Sequence, residues 1–231
     1  MNADGFVFEA LVCGYGDTMV VRGVSGCARP GQVLAVLGRN GVGKSTLLKA
    51  LAGFLPLSGG RVLWRGRDLA AVPAHRRLAL GIAYAPQEDV VFGELSVGDN
   101  LWLHLPDRSS ERYAEPLAAF PRLRERMRQR AGSLSGGERK LLSFTRAIGL
   151  AAPLTLFDEP TEGVQAENIE HMGRLIRARR DAGASFVLVE QNLSFVESVA
   201  DEVVVLDHGS CVLSGALAGL GRDRLEGFLT V

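Results

Sequence analysis

Gly38-Arg39-Asn40-Gly41-Val42-Gly43-Lys44-Ser45-Thr46 fits G-x-x-x-x-G-K-[ST] without a gap. In such a stretch the glycines let the backbone wrap closely around phosphates, and its N–H groups converge on them. Lys44 can reach the β- and γ-phosphates, and the Ser45 hydroxyl can ligate Mg²⁺. The competing reading, a glycine-rich turn ahead of an ordinary helix, leaves the Lys-Ser pair unexplained. A second stretch, Leu154-Thr155-Leu156-Phe157-Asp158-Glu159-Pro160, runs apolar and ends in two carboxylates. Hydrolysis needs such a pair. Asp158 can hold Mg²⁺ through water, and Glu159 can take a proton from, or orient, the attacking water. Adjacent Asp-Glu pairs are also common on surfaces; the apolar run and the glycine loop favour the chemical reading. In the third stretch, Leu134-Ser135-Gly136-Gly137-Glu138, a serine hydroxyl and two glycine amides open a helix, a second anion-binding nose. Ser135 with Glu138 is also a capping box, and both readings hold together. These residues predict a protein that binds a nucleoside triphosphate.

The elements around them have the required character. Val33 to Leu37 reads as a buried strand and Thr46 to Ala52 as a helix, so the glycine loop joins strand to helix. Phe6, Phe8, Leu11-Val12, Tyr15 and Val20-Val21 alternate as antiparallel strands joined by a turn. Arg61 to Trp64 and Ile82 to Ala85 are strand-like, with a short helix from Pro73 to Leu80 between them. From Ser96 the strand signal disappears: Ser96 to Leu105 and Glu111 to Arg130 read as helix, broken by Pro106, Pro116 and Pro121. A helix from about Glu138 to Leu150 follows. Strand patterns resume at Leu154–Phe157 and Phe186–Val189, separated by a helix from about Gln165 to Ala182. Val203–Leu206 and Cys211–Leu213 flank His208-Gly209, a hairpin signal. Alternating strand and helix predicts an α/β fold, a mostly parallel sheet wrapped by helices with an antiparallel N-terminal piece.

Composition narrows the class. The chain of 231 residues is 47% hydrophobic, enough for a sizeable core, and its 26 basic and 26 acidic residues cancel. A global field to hold nucleic acid or an anionic membrane is therefore absent. Cys13, Cys27 and Cys211 are odd in number and scattered, which argues against a disulfide framework or a zinc site and suits a cytosolic protein. His75, His104, His171 and His208 share no metal-ligand spacing. The acidic N-terminal MNADGFVFEA is unlike a signal peptide, and no uncharged run approaches the roughly 20 apolar residues that span a bilayer. The arginines at 122, 124, 126, 128 and 130 are read as the solvated face of a helix, interrupted by Glu125, not as a nucleic-acid patch.

From about Phe6 onward the chain resembles the ATP-binding-cassette (ABC) ATPases: the glycine loop, LSGGE and FDEP occur in that family's order. The resemblance implies a single phosphate-loop NTPase domain over residues 1–231. Its core with an antiparallel β subdomain would occupy about 1–95 and 150–231, and a helical subdomain about 96–149. It implies ATP and Mg²⁺ as cofactors. It implies also that Ser135, Gly136 and Gly137 serve the nucleotide of a second ATPase subunit, and that Tyr15 stacks on adenine, unless it is an ordinary strand tyrosine. Gln87 matches the glutamine that senses Mg²⁺ and contacts the transmembrane partner. Gln191, in Val189-Glu190-Gln191-Asn192, stands where most members carry a histidine; a neutral amide can donate a hydrogen bond but carries no charge. Gln165, in Asp158-Glu159-Pro160-Thr161-Glu162-Gly163-Val164-Gln165, replaces an aspartate. These two departures look like one of the two ATPase subunits of bacterial importers for branched-chain amino acids, short amides and urea. GRNGVGKST and TEG-x-Q are most similar to the urea type. Glu88-Asp89-Val90-Val91 departs from the basic stretch expected there.

The expected protein is an ATP-hydrolysing motor on the cytoplasmic side of the cell membrane. Its partners would be permease subunits, a second ATPase and, indirectly, a periplasmic binding protein, but not nucleic acid. The rival expectation is a soluble cassette ATPase acting on ribosomes or DNA. Such proteins usually fuse two cassettes or insert a long coiled coil, and neither feature is present. A nucleotide kinase would not need LSGGE.

Overall fold

The computed structural model describes residues 5–88, 90–103, 105, 108 and 111–229. Asp89, His104 and Pro106 lie outside them. The first half runs β1 (Phe6–Tyr15), β2 (Thr18–Ala28), β3 (Val33–Leu37), α1 (Lys44–Ala52), β4 (Gly59–Trp64), β5 (Arg67–Asp68), α2 (Ala74–Arg77) and β6 (Ile82–Ala85). Four helices follow: α3 (Val97–Trp102), α4 (Ala114–Ala119), α5 (Pro121–Glu125) and α6 (Gly136–Gly149). The chain closes with β7 (Leu154–Asp158), α7 (Ala166–Asp181), β8 (Ser185–Val189), α8 (Leu193–Val199), β9 (Glu202–Asp207), β10 (Ser210–Ala216) and α9 (Arg222–Leu229).

Two sheets result. β2-β1-β4-β5 is antiparallel, and β10-β9-β3-β8-β7-β6 is parallel apart from its β9–β10 hairpin. β3, β7 and β8 are buried at every position, which is why they read as unbroken apolar runs: both faces of this sheet are covered. On one face Leu47, Leu48 and Leu51 of α1 pack between the sheets, against Phe6, Phe8 and Leu11 of β1 and Leu156 and Val187. On the other, Phe144 of α6 stacks on Phe157, ring centroids 5.1 Å apart, and Phe157 on Phe186 at 6.2 Å. The β9–β10 turn falls where His208-Gly209 predicts it, with φ of 45° and 79°. A Cβ at Gly209 would lie 1.8 Å from the Val20 carbonyl oxygen, so only glycine lets the turn dock on β2.

The stretch from Glu111 to Arg130 breaks at Pro121, as the sequence predicts, but not at Pro116, which lies inside α4. Phe120, next to Pro121, leaves the helical region (φ −123°, ψ 73°) and separates α4 from α5. The helix through the arginines ends at Glu125. Beyond it the chain turns back, and the Met127 and Gln129 carbonyls accept from the N–H groups of Gly98 and Val97 at the start of α3. Arg126 pairs with Glu138 and Arg130 with Glu94, so the arginine run is not one helix face.

The parallel register decides where chemistry can sit. Val36 pairs with Val189, Asp158 with Val189 and Ala85 with Phe157. The segments leaving β3, β6, β7 and β8 therefore emerge at one edge, the carboxyl ends of the strands, where open α/β sheets bind ligands.

Candidate active site

The glycine loop leaves β3 and enters α1. Gly38, Gly41 and Gly43 have φ of 149°, 79° and 107°, and a Cβ at Gly38 would meet the Leu206 carbonyl oxygen at 2.4 Å. Gly43 is the N-cap of α1, with no side-chain cap and no acidic residue in the first turn. The helix therefore offers its free N–H groups and positive dipole end to an anion. Lys44 is buried and donates from Nζ to the Gly38 and Arg39 carbonyls, both at 2.9 Å. Burial pushes its pKa down, and the carboxylate of Glu159, 3.5 Å away, works against that shift. Val42 packs against the core and Thr46 is buried, whereas Arg39 and Asn40 stand exposed at the tip.

β7 delivers Asp158 to the same edge. Ser45 Oγ donates to Asp158 Oδ1 at 3.0 Å, and Oδ2 is buried without a partner. Burial raises the Asp158 pKa to about 6, with the Ser45 hydrogen bond opposing. An ionised oxygen left open beside a hydroxyl oxygen is a donor set that fits Mg²⁺, which is held by one or two carboxylates with waters and substrate phosphates. Among the described residues no group of three His, Cys, Asp or Glu forms a metal cage, so phosphate oxygens and water would complete the shell.

Glu159 is buried and enclosed by donors. Gln87 Nε2 reaches its Oε2 at 2.9 Å, Gln191 Nε2 reaches Oε1 at 2.8 Å, and Lys44 stands at 3.5 Å. Its backbone is left-handed (φ 46°), held by its N–H on the Val189 carbonyl at 2.9 Å. Gln191 also donates to Asn40 Oδ1 at 2.6 Å, so one amide ties the glycine loop to the carboxylate. Gln87 donates in addition to Glu162 Oε2 at 3.2 Å. Four loops thus converge on one carboxylate.

The remaining expected residues lie apart. Tyr15 is half exposed where it pairs with Thr18 at the β1–β2 turn. Ser135 caps α6 in a full capping box with Glu138, and hydrogen bonding to Ser135 holds the Glu138 carboxyl below its ordinary pKa. A Cβ at Gly137 would lie 2.6 Å from the Gly163 carbonyl oxygen, so this glycine lets the helix approach the loop after β7. Among the described residues no hydrogen bond or ion pair joins residues 135–137 to residues 38–46. One residue escaped the sequence reading: Glu190, buried at the end of β8 with both oxygens occupied. Its signal was available, an acid closing an apolar strand just as Asp158 does.

The family model for ABC transporters matches residues 21–162. The chain is 35% identical over 210 residues to a probable branched-chain amino acid transport ATP-binding protein, LivF, of Archaeoglobus fulgidus, covering 89% of each. It is 33% identical over 217 residues to the high-affinity branched-chain amino acid transport ATP-binding protein BraG of Pseudomonas aeruginosa, covering 92% of this chain and 93% of that one. Among solved structures, an ATP-binding subunit of an ABC transporter superposes with a TM-score of 0.84 at 25% identity, over 96% of this chain and 98% of that one. The chain belongs to the ABC transporter family. As an ABC transporter ATPase subunit it binds ATP and hydrolyses it. No helix among the described residues is long and apolar enough to cross a membrane.

Proposed function

We propose that the chain is the ATP-hydrolysing motor subunit of an importer for branched-chain amino acids, working on the cytoplasmic face of the cell membrane beneath permease subunits. The names of LivF and BraG favour this substrate class over urea and short amides. A periplasmic binding protein would supply the substrate to those permeases. Asp89 in the departing loop Glu88-Asp89-Val90-Val91 lies outside the described residues.

In this reading Gly38 to Thr46 hold the phosphates and Tyr15 stacks on the base. Lys44 leaves its own loop carbonyls for the β- and γ-phosphate oxygens. Mg²⁺ bound by Ser45 and Asp158, with Gln87 nearby, would offset charge on the phosphates. Glu159 orients the attacking water and takes its proton, and the amides of Gln87 and Gln191 keep its two oxygens aimed. Gln191 does this without adding charge, so the proton acceptor is Glu159 alone. Ser135, Gly136 and Gly137 stand away from this chain's own phosphate loop. They suit the nucleotide of a second ATPase subunit, whose closure would exclude water and complete the donor set.

The observation that carries the proposal is Glu159, fixed between two amides at 2.8 and 2.9 Å and 3.5 Å from Lys44. Glu159→Gln is expected to lose nearly all turnover while ATP binding persists and ATP-dependent dimers accumulate in size-exclusion chromatography. Turnover close to wild type would overturn the base assignment.

A further inference from the structure

Glu190 is a carboxylate with 2% of its surface exposed, at the point where β8 ends. Its oxygens divide their partners. Oε1 accepts from the Thr161 N–H at 3.0 Å and the Thr161 hydroxyl at 2.8 Å. Oε2 accepts from the N–H groups of Gln191 at 3.0 Å and Asn192 at 3.2 Å. A carboxylate offers about four lone-pair sites, and here four donors face it. Burial pushes the Glu190 pKa up and these donors pull it down. No cation makes an ion pair with it among the described residues, and its hydrogen-bond partners are backbone N–H groups and a hydroxyl.

The two sets of donors belong to different loops. Thr161 lies two residues beyond Glu159, with buried Pro160 between them. Gln191 is the residue whose amide grips Glu159 Oε1. One buried carboxylate therefore fixes the loop that carries Glu159 and the loop that carries the group aiming it. We propose that Glu190 is a positioning residue for ATP hydrolysis, clamping the Glu159–Thr161 loop to the Gln191–Asn192 loop so that the carboxylate and the Gln191 amide stay in register. This rests on Glu159 being the base. An isosteric amide at 190 reproduces the clamp only in part: its –NH₂ would face the Thr161 N–H, or the two N–H groups of Gln191 and Asn192, weakening the hold on one loop. Misplacement of a reacting group by about 1 Å costs on the order of a hundredfold in rate, whereas phosphate binding through the glycine loop has no need of the clamp.

The test measures kcat, KM and the affinity for a fluorescent ATP analogue in Glu190→Gln, Thr161→Val and Thr161→Ser, with Glu159→Gln in parallel. Rates are expressed per nucleotide-binding chain, which removes any effect of partial unfolding. Glu190→Gln and Thr161→Val are expected to lower kcat about tenfold or more, with nucleotide affinity within about threefold of wild type. Thr161→Ser, which keeps the hydroxyl, should recover most of the rate. If Glu190→Gln does not fold, the Val and Ser pair at 161 decides. An unchanged kcat in Thr161→Val, or a parallel loss of nucleotide affinity in the folded variants, overturns the clamp while the Glu159 reading stands. Persisting turnover in Glu159→Gln overturns that reading instead.

Discussion

Asp158 is ionised at neutral pH against the preference of its surroundings. Its pKa stands at about 6 instead of the ordinary 3.8, because burial penalises the charge. A carboxyl that holds its proton more tightly when folded gives stability fully present below about pH 4 and lost as pH rises to about 6. By about pH 7.5 that loss amounts to about 3 kcal/mol, at about 1.4 kcal/mol per pKa unit. Asp158→Asn keeps the shape and the acceptor for Ser45 and removes the charge. Without nucleotide and with EDTA present, the variant should be the more stable protein, by at most about 3 kcal/mol or about 6–12 °C in Tm. The unpaired amide N–H₂ offsets part of this gain by an amount that does not change with pH. The sharper measurement is therefore the gap between variant and wild type in denaturant titrations at two pH values. It should shrink by about 1.4 kcal/mol between pH 7.5 and pH 5, where wild-type Asp158 is mostly protonated. ATP with Mg²⁺ should stabilise the wild type much more than the variant, and the variant should not turn over. A gap that does not move with pH would refute the argument that desolvated charge resides on Asp158.

Other consequences follow from single contacts. Gln191→Ala removes the amide that joins Asn40 to Glu159, and kcat should fall about tenfold with ATP binding retained, in steady-state and equilibrium assays. Ser135→Ala loses the α6 cap at a cost of about 1 kcal/mol in denaturant titration. Ser135→Arg in one subunit of a pair should depress hydrolysis at the other subunit's nucleotide. Gly149→Ala would put a Cβ 2.0 Å from the Tyr113 ring, which is pinned by its hydroxyl on the Leu101 carbonyl at 2.5 Å. A loss of about 1–3 kcal/mol or more is expected by thermal or chemical denaturation, and Tyr113→Ala in the same chain should relieve the clash.

The sequence displays what is local and conceals what is made by partners distant in the chain. The glycine loop, the capping box and the His208-Gly209 turn are each specified by a few consecutive residues, and the structure builds them where their residue types require. The arginine stretch misleads because spacing shows helical character but not where a helix stops. It stops at Glu125 since the Met127 and Gln129 carbonyls are used by α3, about 30 residues earlier in the chain. The contrast between two carboxylates shows the limit more sharply. Leu156-Phe157-Asp158 and Leu188-Val189-Glu190 share one grammar, two buried apolar residues and then a buried acid closing a parallel strand. Both acids are pushed up by burial. Asp158 meets one hydroxyl and keeps an oxygen open, so it has coordination to offer. Glu190 meets four donors, two of them 29 residues away along the chain, and has none to offer. An acid at a strand end can thus be identified from sequence as chemically significant, but whether it takes a cation or fastens two loops is decided by how many donors the fold turns toward it.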